Sequence, residues 1–280
     1  MSRVLVTGAT GNVGRHVVAR LASAGTEVRA LVRDARITGF PASVEVTGGD
    51  LTDPASLESA AAGIDTVFLV WPFLTTEAAP AVLKALATRV RRVVYLSSSA
   101  VNDAGPQTDP IPQLHADMEE LIKRSGLEWT ILRADTIASN ALGWAGQIRA
   151  TGIVRGPEIA PTAVVHEDDI AAVAARLLTE NLHAGRQYIV TGPRVVSRSD
   201  QVHAIGQAIG RPLAFEAMPL DVARDRMLAD GRPPALVEAL LATAAGRPRS
   251  DLVTGTVEEF TGSPARDFRD WAGAHAADFG

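Results

Sequence analysis

Cysteine is absent from the 280 residues. That excludes a disulfide framework, a thiolate metal site and a cysteine nucleophile, and it makes the reducing cytoplasm the expected location. Lysine occurs only at Lys84 and Lys123, so arginine carries the basic charge and few amines remain for chemistry. Aromatic residues are scarce at 5%, with just two tyrosines, Tyr95 and Tyr188. The net charge of −5 provides no basic surface for a polyanion, so no nucleic-acid partner is expected. A small anionic ligand needs only a local positive site and is not excluded. No apolar run approaches the length of a membrane span, and "MSRVLVTG" enters a strand at once, unlike a signal peptide. The six histidines are scattered, and "HEDD" at 166–169 lacks HExxH spacing, so no metal site is expected. No G-x-S-x-G elbow follows a strand, which argues against a serine hydrolase.

What is present is regular alternation. "RVLVTG", "EVRALVR", "VEVTGGD", "DTVFLVWP", "RRVVYLSSSA" and "EWTILRA" are short apolar strands, separated by segments with helical spacing. Strands apolar along their whole length are expected where helices cover both faces of a parallel sheet. Asp53 and Pro54 form a helix start, and "TTEAAPAVLKALATRV" reads as a helix despite Pro80. The predicted fold is α/β: a Rossmann-type parallel sheet with helices on both faces and a small C-terminal substrate lobe. Residues 1–135 form the nucleotide-binding core. Residues 136–280 complete that core, at about 160–192, and build the lobe. In the second part "HEDDIAAVAARLLTE" and "SRSDQVHAIGQAIG" read as helices, the latter with Ser199 near its cap. "RQYIVTGP" and "PLAFEAMP" read as strands, and 221–249 as helices broken at "GRPP" and "GRPRS".

The densest signal is "GATGNVG" at 8–14, between the first strand and the first helix. Gly8 suits a tight turn, Gly11 allows close approach of a pyrophosphate, and Gly14 allows the helix to pack closely. The helix start then offers free N–H groups to phosphates. No lysine follows the glycines, so the phosphate-loop ATPase motif fails. The cradle comprises Gly8, Thr10, Gly11, Asn12, Val13 and Gly14.

The GxxGxxG spacing resembles the extended and atypical short-chain dehydrogenases, and in particular the NmrA-like group. "VTGATGNVGRHVVARL", "VRALVRD", "GGDLTDPASL", "VVYLSSSAV", "SGLEWTILRA", "HEDDIAAVAARLL" and "YIVTGPRVVS" continue the likeness in order over about residues 3–215. That family includes NADPH-dependent quinone and dye reductases, aryl ether reductases and redox-sensing regulators. The resemblance implies that Asp50 and Leu51 border the adenine, although Asp50 also suits a turn. It places Val70, Trp71 and Pro72 beside the nicotinamide ribose, with Ser97 and Ser98 at the end of the fifth strand.

The second strand ends in Arg33, where an NAD site usually has an acid. A guanidinium there suits the 2′-phosphate of NADP, with Arg36 as a helper, so NADP is expected over NAD. The other reading is a solvated Arg33 paired with Asp34. The Tyr-x-x-x-Lys pair of ordinary short-chain dehydrogenases is missing. His115 stands in the tyrosine's place and Glu119 in the lysine's, on one helix face. An unperturbed histidine exchanges protons near neutral pH, making His115 a candidate acid or base with Glu119 orienting it or holding the cofactor region; the plain alternative is two polar groups on a helix surface. Lys123 is one turn further and within reach of Glu119. Arg133 keeps the family's "LR", but Ala134 replaces its usual proline.

Candidate substrate contacts are Phe73, Asn102, Thr136, Trp144 and His166, with Trp144 equally suited to packing the lobe. Tryptophan near a cleft suits an aromatic substrate. The expected function is NADPH-dependent reduction of a quinone, carbonyl or conjugated, aromatic small molecule. A redox-sensing regulator with a protein partner and little turnover, or a non-redox isomerase, cyclase or epimerase, remain alternatives.

Overall fold

The computed structural model describes residues 3–37, 39–107, 109–248 and 250–280. The first apolar run is β1 (Arg3–Val6), and after the glycine loop comes α1 (Gly14–Ser23), with Val17, Val18 and Leu21 buried. Gly25, at φ +75°, ends α1: its N–H bonds the Ala22 carbonyl while Thr26 N–H bonds that of Leu21. These paired bonds satisfy carbonyls that a helix end leaves orphaned, and the left-handed residue suits glycine. The alternation continues through β2 (Glu27–Val32), β3 (Val44–Gly48), α2 (Pro54–Ala60), β4 (Thr66–Leu69), α3 (Ala79–Ala87), β5 (Arg92–Ser98), α4 (Pro110–Lys123) and β6 (Glu128–Ala134). Asp53 caps α2 through Ala55 N–H at 3.1 Å. Pro80 leaves α3 intact because it sits in the first turn, where no intrahelical N–H is required.

After a 3-10 helix at Ala138–Trp144 come α5 (Ala145–Thr151), β7 (Ile153–Gly156), α6 (Glu167–Thr179) and β8 (Arg186–Val190). β8 is the last strand of a seven-stranded sheet of order β3-β2-β1-β4-β5-β6-β8, parallel throughout. The order reverses between β1 and β4, which opens a crevice at their carboxyl ends. Thr7 pins that edge: its Oγ1 accepts from Val70 N–H at 2.8 Å and donates to the Phe68 carbonyl at 3.1 Å. One face of the sheet is covered by α1 and α6, the other by α2, α3 and α4. Alternation along β5 sends Val94 to the first layer and Val93 and Tyr95 to the second.

The C-terminal lobe contains β7 paired with β9 (Ala214–Ala217), together with α7 (Arg198–Ala208), α8 (Leu220–Ala229), α9 (Pro234–Gly246) and α11 (Phe268–Ala274), while α10 (Thr256–Thr261) returns to pack on α6. Its own core gathers Ile148, Val154, Ile205, Trp271 and Phe279. β7 has little signature of its own, being four residues long with Val154 alone fully buried. Ser197, not Ser199, caps α7, in a reciprocal capping box with Asp200. The break expected at "GRPP" falls between α8 and α9; "GRPRS" includes Arg249, which lies outside the described residues. "HEDD" serves as a tie between core and C-terminal segment. Asp168 takes both Arg20 (2.6 and 2.7 Å) and Arg266 (3.0 Å), and Asp169 takes Arg266 at 2.5 Å. His16, 3.6 Å away, and the hydrogen bonds from Arg20 hold the Asp168 carboxyl well below its usual range, against the opposing effect of burial.

Gly192, just after β8, donates its N–H to the Ala163 carbonyl at 3.0 Å. A Cβ there would lie 2.0 Å from the Val164 carbonyl oxygen. Gly192→Ala is therefore expected to cost about 3 kcal/mol in urea unfolding, as overpacked backbone does. Gly273→Ala, in α11 with nothing within 4 Å of its Cβ position, should cost nothing. Equal stability of the two variants would contradict the close approach of these segments.

Candidate active site

The loop from β1 to α1 is folded by contacts that only glycines allow. Gly8 has φ +60°, and its carbonyl accepts from Gly11 N–H at 2.9 Å. A Cβ on Gly14 would sit 2.1 Å from that same carbonyl oxygen, so Gly14 is required by the loop's own backbone more than by the sheet. A Cβ on Gly11 would approach the Gly8 oxygen to 3.1 Å and meet no other group within 4 Å. Thr10, Gly11 and Asn12 are exposed along the crevice side, whereas the Val13 side chain is buried in the core. The residues thus fit a dinucleotide phosphate: an open backbone surface with N–H groups at a helix start.

At the end of β2, Arg33 is exposed and, among the described residues, has no ion-pair partner. Asp34 pairs with Arg36 instead, at 2.9 and 2.8 Å, so Arg36 is engaged and Arg33 is available. Asp50 takes the turn role: its Oδ1 accepts from Thr52 N–H and Thr52 Oγ1, the two bonds that hold its carboxyl below the usual range. The Leu51 side chain is buried in the second apolar layer.

Strand and helix periods match beneath the crevice. Tyr95 and Ser97 are two residues apart on β5, and His115 and Glu119 four apart on α4. Both spacings are about 6–7 Å along their element and keep each pair on one face. Tyr95 Oη consequently lies 2.8 Å from His115 Nδ1, and Ser97 Oγ donates to Glu119 Oε1 at 2.7 Å. Glu119 was expected to orient His115 or to hold the cofactor region; among the described hydrogen bonds none joins it to His115. Glu119 is buried and accepts from Arg133 Nε (2.8 Å) and Nη2 (2.6 Å), with Lys123 at 3.6 Å. Arg133 also grips Asp103 at 2.6 and 2.7 Å. Burial pulls the His115 pKa down to about 4, against the raising effect of the Glu119 charge. The expectation of a histidine titrating near neutrality is corrected: at pH 7 this ring is neutral. Burial likewise raises the Tyr95 phenol far above its normal value, and Glu119 adds to that.

Above this floor lies a cavity of about 630 Å³ between the carboxyl edge of the sheet and the lobe. Val70, Trp71, Ser97, Ser98, His115, Thr136 and Trp144 all line it, so both tryptophans of the predicted cleft are present. Trp71 is anchored by its Nε1–H to the Thr75 carbonyl at 2.9 Å, and Trp144 also packs on the lobe core. Pro72 is exposed beside the crevice. Three expected substrate contacts are not in the lining. Phe73 packs edge-on against Trp71 at 5.0 Å; Asn102 braces its own loop through Ala104 N–H and Gln107; His166 caps α6 by accepting from Asp168 N–H at 3.1 Å. Sequence reasoning missed Arg155, Arg198, Arg226, Arg232 and Arg247, which line the cavity from the lobe. Two of them fall in the very segments read as helix breaks, "GRPP" and "GRPRS", where a turn explains the residues well enough to hide a second role. Among the described residues no cluster of potential metal ligands occurs, and no helix is long and apolar enough to cross a membrane.

A parallel sheet whose order reverses beside a glycine-built phosphate loop defines a dinucleotide-binding protein of the Rossmann class. The chain belongs to the NAD(P)H-binding family, the match spanning residues 8–181, and is an NAD(P)H-dependent oxidoreductase of the NmrA-like, atypical short-chain dehydrogenase/reductase kind, acting on small organic molecules. It is 42% identical over 282 residues to the (4-alkanoyl-5-oxo-2,5-dihydrofuran-3-yl)methyl phosphate reductase of Streptomyces griseus, covering 99% of each chain. It is 33% identical to the NAD(P)H azoreductase of Xenophilus azovorans, again over 99% of each. Among solved structures, the triphenylmethane reductase of Citrobacter sp. complexed with NADP(H) shares the fold, with a TM-score of 0.79 at 20% identity over 99% of this chain and 100% of that one.

The Glu119–Arg133 pair makes a direct prediction. Glu119→Gln removes one charge of a buried pair and should lower stability by about 3 kcal/mol. Urea unfolding reads this as an earlier midpoint; a loss under about 1 kcal/mol, the scale of an exposed pair, would contradict the pair's burial.

Proposed function

We propose that the chain uses NADPH, in preference to NADH, to reduce a small quinone or conjugated carbonyl compound, with His115 donating a hydrogen bond to the oxyanion that develops. The observation that carries this is the 2.8 Å contact between Tyr95 Oη and His115 Nδ1 at the cavity floor. Tyr95 keeps its proton at neutral pH, and Nδ1 is the one acceptor within its reach among the described residues. The phenol therefore donates, and the neutral imidazole carries its own proton on Nε2. Such a ring is a fixed dipole aimed at developing charge, not a strong acid. When bound, reduced nicotinamide supplies the hydride. A quinone or an enone then becomes a hydroquinone anion or an enolate, which is stabilised enough to take its proton from water. A simple ketone gives an alkoxide, which needs the acid that the missing Tyr-Lys pair would supply. The conjugated lactone for which the Streptomyces griseus relative is named is an acceptor of the favoured type. In this reading the glycine loop holds the pyrophosphate and Arg33 the 2′-phosphate.

The test is loss of NADPH absorbance with menadione, an acyl butenolide and a saturated ketone. Turnover is expected on the first two and little on the third. His115→Ala should lower turnover by about 10²-fold, the effect of removing one oxyanion donor. NADPH affinity should stay within about threefold, a change confined to the reacting end. With the histidine pKa near 4, the wild-type rate should show no histidine limb around neutrality as pH falls. An acidic limb near pH 6.5 that vanishes in the variant would refute the neutral-donor role.

Arg33→Ala tests the nucleotide. Loss of one charge-assisted contact should raise KM for NADPH about tenfold or more and leave KM for NADH unchanged. Equal effects on both would remove Arg33 from the 2′-phosphate.

A further inference from the structure

We propose that the lobe side of the cavity is an oxyanion-binding subsite made by Arg198, Arg226 and Arg232, and that the substrate carries a phosphate ester or carboxylate on the end away from the reducible group. The proposal rests on the reductase reading for the redox end alone.

The chain has a net charge of −5, yet five arginines and two aspartates line this one cavity. Two of the arginines are already neutralised: Arg247 pairs with Asp135 at 2.7 Å, and Arg155 with Glu216 at 2.7 Å. Among the described residues, Arg198, Arg226 and Arg232 have no carboxylate within ion-pair distance, which leaves three guanidinia against Asp230. Arg198 is the most telling. It is half-buried, and the Pro157 carbonyl is its side-chain partner. Gly156 makes room for it, since a Cβ there would lie 3.2 Å from Nη1. It is also the first residue of α7, the end at which the helix dipole disfavours a cation. Burial pulls its pKa down to about 10, against the raising effect of the Glu158 charge, so it remains charged at pH 7 while most of its donors lack a partner. A cation in that position is costly until an anion arrives.

The other two arginines are displayed by a single helix ending. Arg226 occupies the last turn of α8. Gly231, at φ +80°, then reverses the chain, with Gly231 N–H on the Leu228 carbonyl and Arg232 N–H on that of Met227. This is the two-bond ending that glycine favours, and it fixes where Arg232 departs from the helix. The glycine loop and Arg33 do not line this cavity, so the three arginines are separate from the groups assigned to the nucleotide phosphates. Trp71 and His115 line the cavity from the sheet side, after β4 and on α4, and the arginines line it from the lobe. A substrate held at both ends has its reducible bond set in register.

The experiment is calorimetric titration of the NADP-loaded protein with three probes: a hydroxymethyl acyl butenolide, its phosphate monoester and the corresponding carboxylate. At least one anion is expected to bind about 30-fold more tightly than the alcohol, with the preference falling as salt is raised. Whichever anion binds more tightly identifies the headgroup. In Arg198→Gln, Arg232→Gln and the double variant, the ratio of anion to alcohol affinity should fall stepwise to about threefold or less. NADPH affinity reports that each variant is folded, and the single variants carry the test if the double one is not. Equal wild-type affinity for all three probes, or a preference that survives the substitutions, would overturn the subsite. Tight anion binding without hydride transfer to any probe would instead sink the reductase reading and leave the subsite standing.

Discussion

Arg133 and Glu119 are both almost wholly buried beneath the cavity floor, and neither charge is tolerable there without the other. Glu119 takes two bonds from the guanidinium and one from Ser97; Arg133 extends to Asp103. One ion pair thus binds α4, β5, β6 and the loop after β5 into a single body. His115 is one turn up the same helix face, so fixing Glu119 over Ser97 delivers the imidazole to Tyr95. The residue that resembled a catalytic partner in the sequence acts through position: it sets where the histidine lies and does not touch it.

The same economy of charge runs through the rest of the molecule. Asp168 and Asp169 join α1 to the C-terminal segment through Arg20 and Arg266, and Asp135 joins the core to the end of α9 through Arg247. These contacts seat the lobe over the carboxyl edge of the sheet and so enclose the cavity. With two lysines in the chain, arginine performs these tasks, and its planar fork explains the repeated bidentate geometry. Arg198, Arg226 and Arg232 face the cavity without a carboxylate partner among the described residues.

Burial decides the chemistry of the floor. A histidine in water titrates near neutrality; under the lobe, burial lowers the His115 pKa and raises that of the Tyr95 phenol beside it. In the proposed function, that environment suits acceptors that form stabilised anions and need no tyrosine and lysine.

The alternation of strands and helices, the glycine loop, the position of Arg33 and the shared face of His115 and Glu119 could all be read along the chain. Each depends on local geometry: a period of two or 3.6 residues, a left-handed turn, a helix cap. The reversal of strand order between β1 and β4 has no local signal in the chain. Other features were invisible because they rest on contacts between distant segments. Tyr95 meeting His115 needs the register of α4 on β5, and the demotion of Glu119 needs Arg133 from β6. His166 was expected near the cleft from the family likeness, but its ring turns to the helix it caps, accepting from Asp168 N–H. Arg198, Arg226 and Arg232 line one cavity, and no pattern links them until the lobe folds back over the sheet. The sequence by itself determined the alternating strands and helices of the core and the glycine loop that suits a nucleotide phosphate, but not β7, α10 or α11. Only the tertiary structure decided which side chains are paired, and hence which charges remain free to meet a ligand, because pairing is set by distance in space and burial sets what each charge costs.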